Sequence, residues 1–350
     1  MEANECACAE GFEWVDQTSV ALHEWGLEDC ATKLLSLSEN AVHSVTTQDG
    51  ARYVLRLHRP GFREYHEIRS ELEWLEALAD GGVVRVARPV PNLRHDDLTV
   101  FRNSAGQTEY GVLLEFMPGR QMTEEAYPDS VGDVGSLVAR LHRHSCAWER
   151  PHDFRRTTWT VDRLIGAGGD YGDWRDTRGL SGSDRRILEH AEFMMRREIL
   201  GIPRNPRTVG LIHTDVRDDN LFTMDDGSLA VIDFDDCGFG YYLFDVACSF
   251  TFLEDRSDLD DMVARYMDGY LAERGVIAQS DFMHLPAFVL LRRLEMLAWM
   301  ERRGETTYAR SLKKTFADGT VDVASRYLTG ALLPCMRSSS PRSLCELRMA

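Results

Sequence analysis

His213, Asp215, Asn220 and Asp233 are the residues of this chain whose types and spacing can do chemistry together. Leu221–Met224 and Leu229–Ile232 are short apolar runs joined by Asp225-Asp226-Gly227-Ser228, a turn sequence, and they predict a β-hairpin. Pairing Leu221 with Ile232 sets Asn220 beside Asp233. With Asp215 just upstream, two carboxylates and an amide oxygen then meet at one end of the hairpin. Magnesium takes oxygen ligands, a few from protein and the rest from phosphates and water. Asn220 and Asp233 can supply two of them. Asp215 is left to orient an attacking hydroxyl and accept its proton. That division of labour suits phosphoryl transfer. His213 could be taken for the base, but its expected role is to pack and hydrogen-bond so that the loop holds its shape.

Phosphoryl transfer also needs a cation on the nucleotide phosphates, paired to a helix glutamate. The strand-like run Tyr53–Leu57 offers Arg56, and an arginine can hold phosphate oxygens as a bidentate fork. Lysine is scarce: the chain has only Lys33, Lys313 and Lys314. Glu71 is the expected partner of Arg56, because it lies one helical turn from Ile68 and Leu75 and so faces the apolar side. Leu37–Val42 stands where a phosphate loop would be but lacks its glycines. The run Leu114-Glu115-Phe116-Met117 precedes the breaker Pro118-Gly119. Backbone at Glu115 and Met117 is therefore expected to meet an adenine edge. Asp245 has two structural readings, a helix N-cap or a buried acid bracing the loop.

The elements that must position these residues fall in two parts, an α+β arrangement of a β-rich N-lobe and an α-rich C-lobe. Ala41–Val45, Arg52–Leu57, Val83–Val90, Leu98–Arg102 and Tyr110–Phe116 read as strands. Glu64–Ala79 reads as a helix, with Ile68, Leu72, Leu75 and Ala79 on one stripe and Gly81-Gly82 ending it. After the breaker come helical periodicities over Val131–His142, Ile187–Ile199, Leu259–Leu271, Pro286–Met300 and Tyr308–Tyr327, interrupted by the one hairpin. The expected division is an extension over 1–19, a nucleotide-binding N-lobe over 20–117, a catalytic and acceptor C-lobe over 118–330, and a mobile tail over 331–350.

Composition narrows the function classes. The 350 residues carry a net charge of −17, which argues against a nucleic-acid partner, since that affinity rests on clustered Lys and Arg. The apolar stretch Phe282–Met300 is broken by Arg292, Arg293 and Glu295 and reads as a core helix, not a membrane span. The first ten residues hold neither a basic nor an apolar run, so no secretory signal is expected. Eight scattered cysteines, with Cys6 and Cys8 as a lone C-x-C, match no zinc spacing and read as free thiols of a cytoplasmic protein.

HTDVRDDN (His213–Asn220) followed by Asp233-Phe234-Asp235 keeps the order of the kinase template H-R-D-x-x-x-x-N and D-F-G. With YVLRLHRPG (Tyr53–Gly61), IRSELEWLEAL (Ile68–Leu78), LLEFMPG (Leu113–Gly119), GLIHTDVRDDNLF (Gly210–Phe222) and VIDFDDCGFGYYLFDVA (Val231–Ala247), the chain resembles the aminoglycoside phosphotransferase and choline kinase superfamily over about residues 20 to 330. Within it, the chain is most similar to the homoserine kinase type II and stress-response kinase group. The resemblance implies a protein-kinase-like two-lobed fold, ATP and Mg2+ as cofactors, Asp215 as base, and Asn220 and Asp233 as metal ligands. Arg56 departs from the usual lysine, and Asp235 stands in place of the D-F-G glycine. Eleven residues between Asp233 and Asp245 leave no room for a regulated activation loop. A small-molecule hydroxyl substrate, such as an amino alcohol or aminoglycoside, is therefore expected. A Ser/Thr protein kinase and a nucleotide-binding pseudokinase are the alternatives. The Gly- and Trp-rich insert Trp159–Trp174 reads either as acceptor pocket or as packing.

Overall fold

The computed structural model describes residues 14–37, 40–103, 106–274, 279–303 and 307–337. Cys6 and Cys8, Ser38 and Glu39 of the Leu37–Val42 stretch, and the tail from residue 338 lie outside the described residues. The chain divides into two units that are not contiguous in sequence. The first holds Met1–Arg120, Glu149–Arg156 and Phe222–Asp235; the second holds Gln121–Trp148, Thr157–Leu221 and Asp236–Ala350.

The first unit is built on an antiparallel sheet of β1 (Ala31–Leu37), β2 (Asn40–Thr46), β3 (Arg52–His58), β4 (Thr99–Arg102) and β5 (Thr108–Glu115), in the order β1-β2-β3-β5-β4. Alternation puts Ala41, Val45, Leu55, Leu57 and Leu113 into a core that also receives Ala21, Leu22 and Trp25 of helix α1 (Trp14–His23). Burying one such leucine contributes about 1.5–3 kcal/mol. Neither α1 nor β1 was expected. Helix α1 has a weak apolar stripe, and β1 is exposed along most of its length, so neither carries a clear period. Helix α2 (Tyr65–Asp80) follows its apolar stripe, and Gly82 ends it at φ +59°, where a side chain would be strained.

One expected strand is absent. Val83–Val90 makes only isolated bridges, Arg85 to Ala230 and Pro89 to Leu114. Pro89 and Pro91 have no N–H for a ladder, so the segment cannot become a full strand. The expected hairpin is present, with its turn closed by Met224 N–H to the Ser228 carbonyl at 2.9 Å and Gly227 at φ +80°.

In the second unit, helices α3 (Tyr127–Ala147) and α7 (Leu259–Arg274) pack closely because glycines face the partner backbone. A Cβ on Gly135 would stand 2.1 Å from the Tyr266 carbonyl oxygen, and one on Gly269 would stand 1.9 Å from that of Gly132. Strand β7 (Val209–Ile212) pairs antiparallel with β10 (Gly238–Tyr241), a second strand pair the sequence did not announce. Two short helices each follow a strand contact, α4 (Val161–Ile165) after the bridge between Thr158 and Phe239 and α6 (Tyr242–Cys248) directly after β10. Helix α5 (Gly182–Leu200) and the pair α8 (Leu285–Arg302) and α9 (Thr307–Thr329) complete the helical body. Helix α8 is buried almost all round, and Arg292, Arg293 and Glu295 are buried with it. The described cysteines are all free, and no described helix is long and apolar enough to cross a membrane.

Candidate active site

In the second unit the site grows from the end of β7. His213 and Thr214 both donate their backbone N–H to Asp245, at 3.0 and 2.6 Å. Thr214 also donates its hydroxyl to the Asp236 carbonyl at 3.1 Å. These bonds hold Thr214 at φ +77°, a conformation a β-branched residue rarely adopts. Asp245 lies inside α6, whose N-cap is Tyr241, so the capping reading fails and the bracing one stands. It is fully buried, and its carboxylate is joined to His142 Nε2 at 2.9 Å, while His142 Nδ1 meets the Tyr270 hydroxyl at 2.7 Å. Burial raises the Asp245 pKa, but the His142 hydrogen bond and charge outweigh it and leave the pKa below its ordinary value.

The loop so braced delivers Asp215. Its N–H donates to His213 Nδ1 at 3.3 Å, which puts His213 in the expected loop-holding position. Asn220 Nδ2 donates to both the carbonyl and the Oδ2 of Asp215, at 2.9 Å each. The amide is thereby oriented with its Oδ1 directed away from Asp215. Arg217 Nε reaches Oδ2 at 3.4 Å, and Arg292 Nη2 donates to Oδ1 at 2.5 Å. Burial pushes the Asp215 pKa up, but Arg217 and Arg292 overcome it, so the carboxyl stays ionised below its usual range.

Asp233 belongs to the first unit and sits at φ +65°. Its charge is felt by Arg56, whose Nη2 donates to Glu71 Oε1 at 2.8 Å. Both members of that pair are buried, and Glu71 has no exposure at all, so it is no rim acid. Around them gather His58, Arg63, Arg156 and Asp235. His58 Nδ1 lies 3.8 Å from Asp235 Oδ1, Arg63 Nε lies 3.7 Å from Oδ2, and Arg156 donates to the Asp235 carbonyl and, at 2.9 Å, to that of Glu67. Glu115 is exposed at the end of β5, with its N–H donating to the Arg88 carbonyl at 2.8 Å; Met117 is half-buried two residues on.

The second unit also contains a cavity of about 560 Å3 lined by Glu124, Asp218, Asp219, Asp255, Phe252 and Phe316 among others. Trp159 and Trp174 are not among its lining residues. Trp174 is fully buried with its indole N–H on Glu192 at 2.8 Å, and Trp159 donates to the Asp236 carbonyl at 2.9 Å. Both indoles make packing and bracing contacts. Sequence reasoning missed Arg292, Glu295 and His142 in the second unit, and His58, Arg63 and Arg156 in the first. For Arg292 and Glu295 the signal available is the charge inside the apolar run of α8.

The phosphotransferase enzyme family model matches residues 31–279. The microcompartment-associated aminopropanol kinase is 32% identical, with a TM-score of 0.83, covering 91% of this chain and 99% of that one. Amicoumacin kinase of Bacillus subtilis (strain 168) is 22% identical over 285 residues, 78% of this chain and 81% of that protein. An amicoumacin kinase solved in complex with AMP-PNP, Ca2+ and Ami shares the fold, with a TM-score of 0.71 at 18% identity over 88% of this chain and 93% of that one. The braced Asp215 and the family match lead to the same place: the chain belongs to the phosphotransferase enzyme family, as a kinase with an alcohol group as acceptor.

Proposed function

We propose that the protein transfers the γ-phosphoryl group of ATP to the hydroxyl of a small amino alcohol, with Mg2+ as the metal. The observation that carries this reading is the near full-length similarity to an aminopropanol kinase. The carboxylates of the cavity, Glu124, Asp218, Asp219 and Asp255, add support, because they favour an ammonium group; the Phe252 and Phe316 rings beside them carry Arg217 and Arg293. Between Asp236 and Asp245 the chain is taken up by β10 and the first turn of α6, which disfavours a protein-kinase activation segment.

In this reading Asp215 aligns the acceptor hydroxyl and takes its proton late, since its lowered pKa makes it a weak base. Asn220 Oδ1 and the Asp233 carboxylate would hold the metal. Two protein oxygens leave the remaining positions of such an ion to phosphate oxygens and water. Bound there, magnesium would neutralise charge on the transferring phosphate. Arg56, steadied by Glu71, would hold the phosphates, and the backbone at Glu115 and Met117 the adenine.

The test is a screen of magnesium ATP against aminopropanol, ethanolamine, choline, aminoglycosides, sugars and casein, read as acceptor-dependent ADP release and product mass. Phosphorylated amino alcohol is the expected product. Phosphorylated product confined to casein, or to the aminoglycosides, would overturn the amino-alcohol assignment.

A further inference from the structure

Arg292 lies in the interior of α8 and is 5% exposed. Each of its three nitrogens has an acceptor on a different piece of chain. Nε donates to the Thr251 hydroxyl at 3.0 Å, Nη1 to both oxygens of Glu295 at 2.9 and 3.1 Å, and Nη2 to Asp215 Oδ1 at 2.5 Å. Glu295 is itself 3% exposed. A buried ion pair of this kind is a poor device for stability, because a well-packed apolar pair of similar volume serves as well or better. Its neighbour Arg293 does serve packing: it turns to Thr320, Glu254, Asp255 and the Phe316 carbonyl, and so ties α8 to α9. Arg292 instead reaches the reacting carboxylate.

The carboxylate of Asp215 is thus held at both ends. Asn220 and Arg217 engage Oδ2, and Arg292 alone of these three engages Oδ1. Rotation about the Cβ–Cγ bond would break one set or the other. We propose that Arg292 is a positioning residue for phosphoryl transfer, fixing the plane of the Asp215 carboxylate on the acceptor hydroxyl, and that Glu295 and Thr251 position Arg292 in turn. The inference rests on the reading of Asp215 as the base. Glu295 carries the burial cost of the device: burial pushes its pKa up to about 7 against the pull of Arg292, with Asp215 and Asp236 adding to the rise.

The test compares the full-length parent with Asp215→Asn, Arg292→Met, Arg292→Lys and Glu295→Gln. Each is assayed with magnesium ATP and aminopropanol, and for the slow ATP hydrolysis in which water is the acceptor. A misplaced reacting group costs on the order of a hundredfold, and Arg292→Met is expected to lose about that in kcat in both assays. Its ATP dissociation constant should stay within about twofold, since Arg292 is not among the residues proposed above to hold the nucleotide. Arg292→Lys should recover part of the loss, and Glu295→Gln should lose about tenfold in kcat with little change in KM. The water assay reports on Asp215 whatever the acceptor, so a wrong acceptor class shows as failure of the aminopropanol assay alone. If Asp215→Asn keeps parental turnover, the reading of the base fails and this inference with it. If Asp215→Asn is inactive while folded Arg292→Met turns over within threefold of the parent, this inference alone is overturned. Should Arg292→Met not fold, parental kcat in both Arg292→Lys and Glu295→Gln overturns it equally.

Discussion

The two units each bury arginine–carboxylate clusters, and the clusters differ in how fully they are satisfied. In the second unit, Arg292 and Arg293 have acceptors for their side-chain nitrogens, drawn from Thr251, Glu295, Asp215, Thr320, Glu254 and Asp255. In the first unit, Arg56 Nε, Glu71 Oε2, Asp235 Oδ1 and both ring nitrogens of His58 are buried with no hydrogen-bond partner among the described residues. An unsatisfied buried polar group costs about 1–3 kcal/mol, so natural structures keep few of them. The closed network of the second unit stores geometry. The open cluster of the first holds Arg56, whose guanidinium the proposed function assigns to the phosphate oxygens of a nucleotide.

Five substitutions can break or sharpen that contrast. The largest effect should come from Asp215→Ala, which removes the group the closed network positions. A positioned general base contributes about 10^2–10^4-fold, so kcat should fall by roughly a thousandfold while the thermal unfolding transition stays cooperative. Circular dichroism and ADP release measured on one preparation check both halves.

Arg293→Met comes next, and its loss should appear in stability. Removing one partner of a buried pair costs about 3–5 kcal/mol, because Glu254 is left buried without its cation. Denaturant unfolding measures it; a loss below about 1 kcal/mol would mean that the network is not closed in the sense described.

In the open cluster the loss should fall on ligand affinity. Arg56→Lys keeps the charge but forfeits one of two parallel bonds, and a hydrogen bond to a charged group is worth about 1.5–3 kcal/mol, so ATP should bind roughly ten- to a hundredfold more weakly. Glu71→Gln should act in the same direction but less. The double variant should be less than additive, since both changes damage one unit. Additive losses in calorimetric titration would separate the pair.

The smallest effect is a pH dependence. Burial first, and then the charge of Arg56, lowers the His58 pKa from an ordinary 6.5 to about 3. Between those values the unfolded chain binds a proton that the folded one refuses, so stability rises with pH through that window and falls on acidification. Asp235, also lowered, adds its loss only below the ordinary carboxylate range. His58→Leu should therefore flatten the stability difference between pH 5 and pH 7 seen in the parent, as read from urea midpoints. An unchanged slope would mean that His58 takes a proton in the folded state.

Local pattern was enough for much of this molecule. The hairpin, helix α2 and the long helices could be read because each carries its own period and its own stop: Asp-Gly at the turn, Gly81-Gly82 after α2, Pro286 at the start of α8. The pairing of Arg56 with Glu71 could be read because helix geometry alone turns Glu71 toward the apolar stripe. Where the period was weak, as in α1 and the exposed strand β1, or where prolines interrupted it, as in Val83–Val90, expectation and structure parted.

By itself the sequence determined which atoms are available for chemistry: Asp215, Asn220 and Asp233 occur in an order and spacing that constrain the reaction before any fold is known. Only the tertiary structure decided what holds those atoms. His142 and Asp245, and Arg292 and Asp215, are 103 and 77 residues apart along the chain. No local period relates such residues; they meet because α3, α6, α8 and the catalytic loop pack on one another, and a charge placed in that packing must find a partner there or not be buried at all.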